Sequence, residues 1–372
     1  MKTVKVIVVA GARPNFMKVN PLLREIAKYN VKKKPDALTL RAVLLHTGQH
    51  YDENMSNIFF RELGIRQPDI NLGVGSASQA VQTANIMIGF EAVCEQEKPD
   101  WVVVVGDVNS TLACTLVCAK IGIRIAHIEA GLRSFDRTMP EEVNRVVTDS
   151  LADLLLTPSE DAGNNLIREG ISPSRIKFVG NIMIDSLLEN LPKARSCGIL
   201  SRLRLEQGRF IYVTLHRPTN VDVQTSLSMI MDSMGQLSKR TPVVFPIHPR
   251  TRKMLAEFGL VHPSDDHLLL LEPVGYHESL CLTENARLVI TDSGGLQEET
   301  TFFRTPCLTV RPNTERPITI TIGSNSLTDP ERLNDDVIRA LKGPERKGHV
   351  PPLWDGHTAE RTLRCLLAAS SD

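Results

Sequence analysis

Several carboxylates stand where apolar runs stop. Trp101-Val102-Val103-Val104-Val105 runs into Gly106-Asp107, and His127-Ile128-Glu129-Ala130-Gly131-Leu132-Arg133 ends another run on Glu129. The glycine two residues after Glu129 allows close approach of a ligand. Met139-Pro140-Glu141-Glu142-Val143-Asn144-Arg145 adds Glu141 at a helix start. Each has a plain alternative. Asp107 is either an N-cap or a catalytic group, and proline with acids in a first turn suits any helix without a function. Taken together, Asp107, Glu129 and Glu141 form a candidate acid cluster. Clustered, partly buried acids raise one another's pKa, so one could hold a proton near neutral pH and act as acid or base.

Other residues are suited to an anion. Leu288-Val289-Ile290-Thr291 runs into Asp292-Ser293-Gly294-Gly295, and a helical pattern follows at once. Gly294 and Gly295 would expose backbone amides, and a helix N-terminus behind them favours a phosphate or diphosphate. Ser293 occupies the N-cap position. Leu296 stands at N3, so no capping box claims the serine hydroxyl. Glu298 and Glu299, a turn later, could reach sugar hydroxyls. Gly11-Ala12-Arg13-Pro14-Asn15-Phe16-Met17-Lys18 is not a G-x-G-x-x-G fingerprint. It sets Arg13 and Lys18 at a helix start, where they would serve a diphosphate unless Lys18 is simply a solvated surface cation. His216-Arg217 at another strand end reads as a pair of leaving-group stabilisers. His248, His277 and the segment Arg311-Pro312-Asn313-Thr314-Glu315-Arg316-Pro317 complete the rim, although either histidine could be structural. No His/Cys/Asp/Glu set has metal-ligand spacing, so neither a catalytic metal nor a dinucleotide cofactor is expected.

These residues need a scaffold that brings strand ends together. The strands expected are Lys5–Gly11, Ala42–Gly48, Trp101–Asp107, Arg124–Glu129, Leu154–Thr157 and Ile176–Gly180. They continue with Phe210–Leu215, Pro242–Ile247, His267–Glu272, Leu288–Thr291 and Cys307–Val310. Many are unbroken Val/Ile/Leu runs, as in parallel strands buried on both faces. Helical patterns alternate with them, among them Pro21–Tyr29, Gln79–Gln96, Glu141–Ala152 and Pro330–Leu341. A chain of 372 residues exceeds one ordinary core. The fold class expected is α/β, with two Rossmann-like doubly wound domains covering 1–185 and 186–357. A last helix in 358–372 follows the Pro351-Pro352 turn and joins the first domain. In such sheets ligands bind beyond the carboxyl ends of the strands.

Composition narrows the partners. Lys+Arg and Asp+Glu are 43 each, so no net charge draws the chain to nucleic acid or a membrane surface. No apolar stretch approaches the ~20 residues of a membrane helix. The seven cysteines are odd in number and scattered, without C-x-x-C, as in a reducing compartment. A cytoplasmic protein is expected.

The ordered set Gly11-Ala12-Arg13-Pro14, Gly106-Asp107, His127-Ile128-Glu129-Ala130-Gly131-Leu132-Arg133, Pro140-Glu141-Glu142-Val143-Asn144-Arg145, His216-Arg217, Asp292-Ser293-Gly294-Gly295 and Thr314-Glu315-Arg316-Pro317 resembles the UDP-N-acetylglucosamine 2-epimerase family, most closely its non-hydrolysing branch. The resemblance spans roughly residues 1–370. It implies a GT-B-like pair of domains with the active site in the interdomain cleft, a homodimer, and neither metal nor nicotinamide. The implied reaction is reversible inversion at C2 between UDP-GlcNAc and UDP-ManNAc. By motif match the catalytic residues fall on Asp107, Glu129, Glu141 and His216. Arg13, Lys18, Ser293, Gly294 and Glu299 would handle UDP, with Glu299 on the ribose. By position, Arg133, Arg217, His248, Gly295 and Arg316 are further candidate substrate contacts.

Two departures bear on this. Asn15 stands where many members have glutamate, leaving its role open. Gln49-His50-Tyr51-Asp52-Glu53-Asn54-Met55 lacks the arginine with which many bacterial members bind an activating UDP-GlcNAc, so non-cooperative kinetics are expected. The rival readings are the hydrolysing branch, a GT-B glycosyltransferase, a UDP-sugar sensor, and a 2-epimerase of a modified sugar such as a 2,3-diacetamido uronate.

Overall fold

The computed structural model describes residues 3–48, 64–260, 267–344 and 346–371, without the Arg13 side chain. The Gln49–Met55 segment, on which the expectation about activation rests, lies outside them. The chain forms two compact units, Met1–Ser186 with Pro352–Asp372, and Leu187–Pro351.

The first unit is built on an all-parallel sheet. Its strands are β1 (Thr3–Ala10), β2 (Thr39–His46), β3 (Ile70–Asn71), β4 (Trp101–Val105), β5 (Arg124–Ile128), β6 (Leu154–Thr157) and β7 (Ile176–Phe178). Their order is β3-β2-β1-β4-β5-β6-β7, so the winding reverses between β1 and β4. Helices cover both faces, and every β4 residue is buried, which is why that strand reads as an uninterrupted valine run. The register pairs Val105 with Ile128, so the ends of β4 and β5 stand side by side.

The helix after β1 spans Arg13–Lys32, longer than the Pro21–Tyr29 expected, with Pro21 inside it. A proline inside a helix leaves the carbonyl four residues back without its donor. Here that carbonyl belongs to Met17, and the Ser186 hydroxyl donates to it. The C-terminal helix Thr358–Ser371 packs on Arg13–Lys32. Its first amides, Thr358 N and Ala359 N, donate to Asp185 at 3.2 and 2.8 Å. Residues 352–357 belong to this unit too. There Trp354 is buried and donates from Nε1 to the Pro158 carbonyl.

The second unit holds β8 (Ile211–Thr214), β9 (Val243–Pro246), β10 (Leu268–Leu271), β11 (Leu288–Thr291), β12 (Cys307–Val310) and β13 (Asn325–Thr328). The order β10-β9-β8-β11-β12-β13 is again fully parallel and reverses between β8 and β11. Two doubly wound, Rossmann-like units are thus the fold class the sequence pattern implied. β3 and β13 were not anticipated. The first has only two residues. The second reads Asn-Ser-Leu-Thr, and its buried Asn325 is satisfied by side-chain bonds, accepting from Thr300 and donating to Gln297 O.

All seven cysteines are free. Cys94, Cys114, Cys118, Cys281 and Cys307 are buried, while Cys197 and Cys365 are half-buried. Among the described residues no helix is long and apolar enough to cross a membrane, and no three His, Cys, Asp or Glu side chains gather as metal ligands.

Candidate functional site

In the first unit the carboxyl ends of β1, β4 and β5 converge on a charged cluster. Gly106 (φ 67) and Glu129 (φ 69) both turn the chain through the left-handed region where their strands end. For glycine this is free; for glutamate it costs about 1–2 kcal/mol. The turn is held because Glu129 N and Ala130 N both donate to the Leu156 carbonyl, at 3.1 and 3.2 Å. It points a buried carboxylate at Lys18, whose Nζ lies 2.6 Å from Glu129 Oε2. The other oxygen, Oε1, is buried without a partner.

Asp107 has a cation of its own. Arg145 Nε and Nη2 reach Asp107 Oδ2 at 3.0 and 2.6 Å, and Arg145 Nη1 reaches Glu142 Oε2 at 2.5 Å. Glu142 is buried and accepts from Ser134 N, Ser134 Oγ and Phe135 N. It therefore braces the loop ahead of the helix Pro140–Leu151, while its neighbour Glu141 is exposed in the first turn. Among the described residues nothing binds the Glu141 side chain. The expectation of mutually repelling acids gives way to cation pairing at Asp107 and Glu129, with Glu141 left open.

Asn15 has a definite task. Its Oδ1 accepts from Gly11 N and Ala12 N at 3.1 and 2.8 Å. Those amides are therefore occupied from within, by a neutral side chain where a glutamate could have stood. Arg133 is also turned inward. It binds Asp149 at 2.7 Å and makes a two-pronged contact with Glu169 at 2.8 and 2.7 Å, itself almost fully buried.

In the second unit Asp292 organises the end of β8. It is fully buried and accepts from His216 N, Arg217 N and the Asn220 amide, and it pairs with His216 Nδ1 at 3.0 Å. Burial alone would raise the Asp292 pKa, but the His216 hydrogen bond and charge, with the amide donors, hold it below the usual carboxylate value. His216 is thereby oriented with its ring half-exposed, 5.6 Å from the ring of His248. Partial burial, and then His216, lower the pKa of His248.

Ser293 is the N-cap of the helix Gly294–Phe303, and its side chain makes no capping bond. The two glycines differ. A Cβ on Gly295 would meet open space, whereas one on Gly294 would lie 2.9 Å from Arg316 Nη1. Gly294 thus makes room for a protein side chain, whereas the space beside Gly295 is open. Arg316 is buried between Glu298, at 2.6 Å from Nε, and Glu315; Glu315 in turn binds Arg311 at 2.7 Å. Among the described residues Glu299 has no such cation. Burial, then the charge of Glu298, push its pKa up to about 8. The Tyr276 hydroxyl is buried beside it, and its hydrogen bond to the carboxyl offsets only part of that rise.

Residues 32–367 match the family model of UDP-N-acetylglucosamine 2-epimerase. A UDP-N-acetylglucosamine 2-epimerase of Methanococcus maripaludis is 43% identical over 96% of each chain. The crystal structure of Methanocaldococcus jannaschii UDP-GlcNAc 2-epimerase in complex with UDP-GlcNAc and UDP superposes with a TM-score of 0.87 at 41% identity. It covers 98% of this chain and all of that one. The chain belongs to the UDP-N-acetylglucosamine 2-epimerase family. A UDP-2,3-diacetamido-2,3-dideoxy-D-glucuronate 2-epimerase of Pseudomonas aeruginosa is 40% identical over 88% of this chain and 89% of that protein.

For a 2-epimerase, the candidates fall into two groups by unit. Lys18, Asp107, Glu129 and Glu141 belong to the first sheet's carboxyl edge, and His216, Arg217, His248, Ser293, Gly295 and Glu299 to the second's. Arg133, Gly294 and Arg316 are committed to packing and ion pairs within their own units. Sequence reasoning missed Arg145, Asp149 and Asp292 as organisers. Arg145 carried a faint signal, one helical turn beyond Glu142 on the same face. Asp149 carried none.

Proposed function

We propose that this chain inverts C2 of UDP-N-acetylglucosamine to give UDP-N-acetylmannosamine, reversibly and without hydrolysis. No carbonyl acidifies the C2 proton, so direct deprotonation would leave an unstabilised carbanion. Losing UDP from C1 as the C2 proton departs avoids that species and gives 2-acetamidoglucal. Re-addition of UDP with protonation on the opposite face completes the inversion. Asp107, Glu129 and Glu141 supply acid and base, and Lys18, paired with Glu129, is available for proton traffic or for the leaving group. In the second unit the His216–Arg217 corner and the Ser293–Gly295 helix start bind the diphosphate. The buried Glu299 carboxyl accepts the ribose hydroxyls. Arg13 is assigned to the diphosphate as well.

The observation that carries this reading is the pair Asp107 and Glu129, on adjacent strand ends and each fixed by its own cation. Incubation with UDP-GlcNAc in deuterated water tests it. Deuterium should enter C2 as the manno epimer appears, with no acceptor added. Exchange absent during turnover, or free ManNAc accumulating, would overturn it.

The 40% identical uronate epimerase supports a second reading, a UDP-sugar altered at C3 and C6. Comparing kcat/KM for the two sugars decides between them. We also assign the enzyme to the cytoplasm, in keeping with its free thiols, and to a homodimer. The homodimer is supported by exposed Val81, Ile88, Val143 and Val146 on two helices that both pack on Asn109–Ile121.

A further inference from the structure

A buried histidine that the reaction does not use lies directly behind the acid pair. His127, on β5, is fully buried and makes two ring contacts. Nε2 is 2.8 Å from the Gly106 carbonyl, and Nδ1 is 2.7 Å from Asp149 Oδ1. A carbonyl oxygen can only accept. Asp149 is held as the carboxylate by the buried guanidinium of Arg133, 2.7 Å from its other oxygen. Both ring nitrogens of His127 must therefore donate.

The other oxygen of Asp149 accepts from Gly131 N at 3.0 Å and from Arg133 at 2.7 Å. Arg133 continues to Glu169, so the buried row alternates in charge, His127, Asp149, Arg133, Glu169. It meets the main chain at Gly106, at Gly131 and at Leu132, whose carbonyl accepts from Arg133 at 2.8 Å. Gly106 immediately precedes Asp107, and Gly131 follows Glu129 by two residues. Gly106 is held at its other end too, with its N–H donating to Ile128 O at 3.0 Å. Gly106 and Gly131 both adopt positive φ, at 67° and 82°. Glycines have the freedom to swing there, so the side chains beside them are aimed only if an external constraint holds the backbone.

We propose that His127, as a doubly donating ring paired with Asp149, is a positioning residue that clamps Gly106 and Gly131 and so fixes the mutual aim of Asp107 and Glu129. The inference rests on the epimerase reading for its kinetic consequence, but not for its protonation consequence. Two conservative variants separate the contacts. The amide of Gln reaches where Nε2 sits, and that of Asn where Nδ1 sits. His127→Gln keeps the donor to Gly106, whereas His127→Asn keeps only the donor to Asp149.

In full-length protein carrying 15N-histidine, long-range proton–nitrogen correlation at pH 7.5 should show protons on both nitrogens of His127, identified by its loss in His127→Asn. In turnover, His127→Asn should lose kcat about 100-fold, the scale of a 1 Å misplacement, with KM within about twofold. His127→Gln should retain kcat to within about fivefold, even where both variants melt at the same lowered temperature. A bare ring nitrogen on His127 would overturn the proposal, and so would equal kcat losses in the two variants. The nitrogen result is read without substrate, so a failure of the substrate assignment leaves it decisive for the clamp.

Discussion

Glu298 and Glu299 are neighbours in one helical turn, yet among the described residues only Glu298 has a cation. A buried carboxyl without one keeps its proton. The folded pKa of Glu299 is about 8 against an ordinary 4.5. Between those values the folded chain binds a proton that the unfolded chain has released. Stability therefore falls as pH rises through that window, and levels off above about 8. Glu299→Gln should remove this slope. It should melt with wild type at pH 4 and above it at pH 8, in calorimetric scans. If the ribose diol needs the ionised carboxylate, wild-type UDP affinity should improve as pH rises to about 8. Titration calorimetry would register that trend, and the Gln variant should bind more weakly and without it. Glu129 offers a second test. Its left-handed backbone conformation suits glycine better. Glu129→Gly should relieve about 1 kcal/mol of strain while leaving Lys18 unpaired and abolishing turnover. An active Glu129→Gly enzyme would refute the acid/base assignment.

The turn between β11 and its helix illustrates how an element divides labour between two adjacent residues of one type. Gly294→Ala should drive a methyl group against the Arg316 guanidinium, displace a buried charge and cost about 1–3 kcal/mol in urea unfolding. Gly295→Ala meets open space and sits in a helix, where alanine is favoured by about 1 kcal/mol. It should leave folding intact or improved and weaken UDP binding by crowding the amide. From sequence the two glycines are interchangeable, because nothing local announces that Arg316 will return beside one of them. The same limit explains the other surprises. Apolar strands such as β4 and β11 are legible because burial on both faces forces unbroken Val/Ile/Leu runs. β13 is not, because its buried Asn325 is satisfied by the Thr300 hydroxyl and the Gln297 carbonyl of the helix Gly294–Phe303. Asp107 and Glu129 could be picked out because each ends such a run. Their counter-ions could not, since Arg145 lies 38 residues beyond Asp107 and Lys18 lies 111 before Glu129.

At the scale of the molecule, the two units share one architecture and differ in how they handle charge. At the first sheet's edge Lys18 meets Glu129 and Arg145 bridges Asp107 and Glu142, in front of the row from His127 to Glu169. The second holds a buried row of alternating Glu and Arg from Glu298 through Arg316 and Glu315 to Arg311, with one carboxyl left over. That division suits proton transfer in one unit and nucleotide capture in the other, and no net charge is needed for either. The homodimer assignment is tested at this scale. Replacing Ile88, 70% exposed, together with Val146, 38% exposed, by glutamate should halve the mass seen by light scattering without lowering the melting cooperativity. An unchanged mass would remove that helical face from the assembly.

Of the seven thiols, the two that are not buried fall one to each unit, Cys365 in the first and Cys197 in the second. A maleimide dye offered briefly would therefore label each half of the enzyme once, with no engineered sites. Energy transfer between the two fluorophores would then follow, in real time, any rearrangement of the halves as nucleotide arrives and leaves.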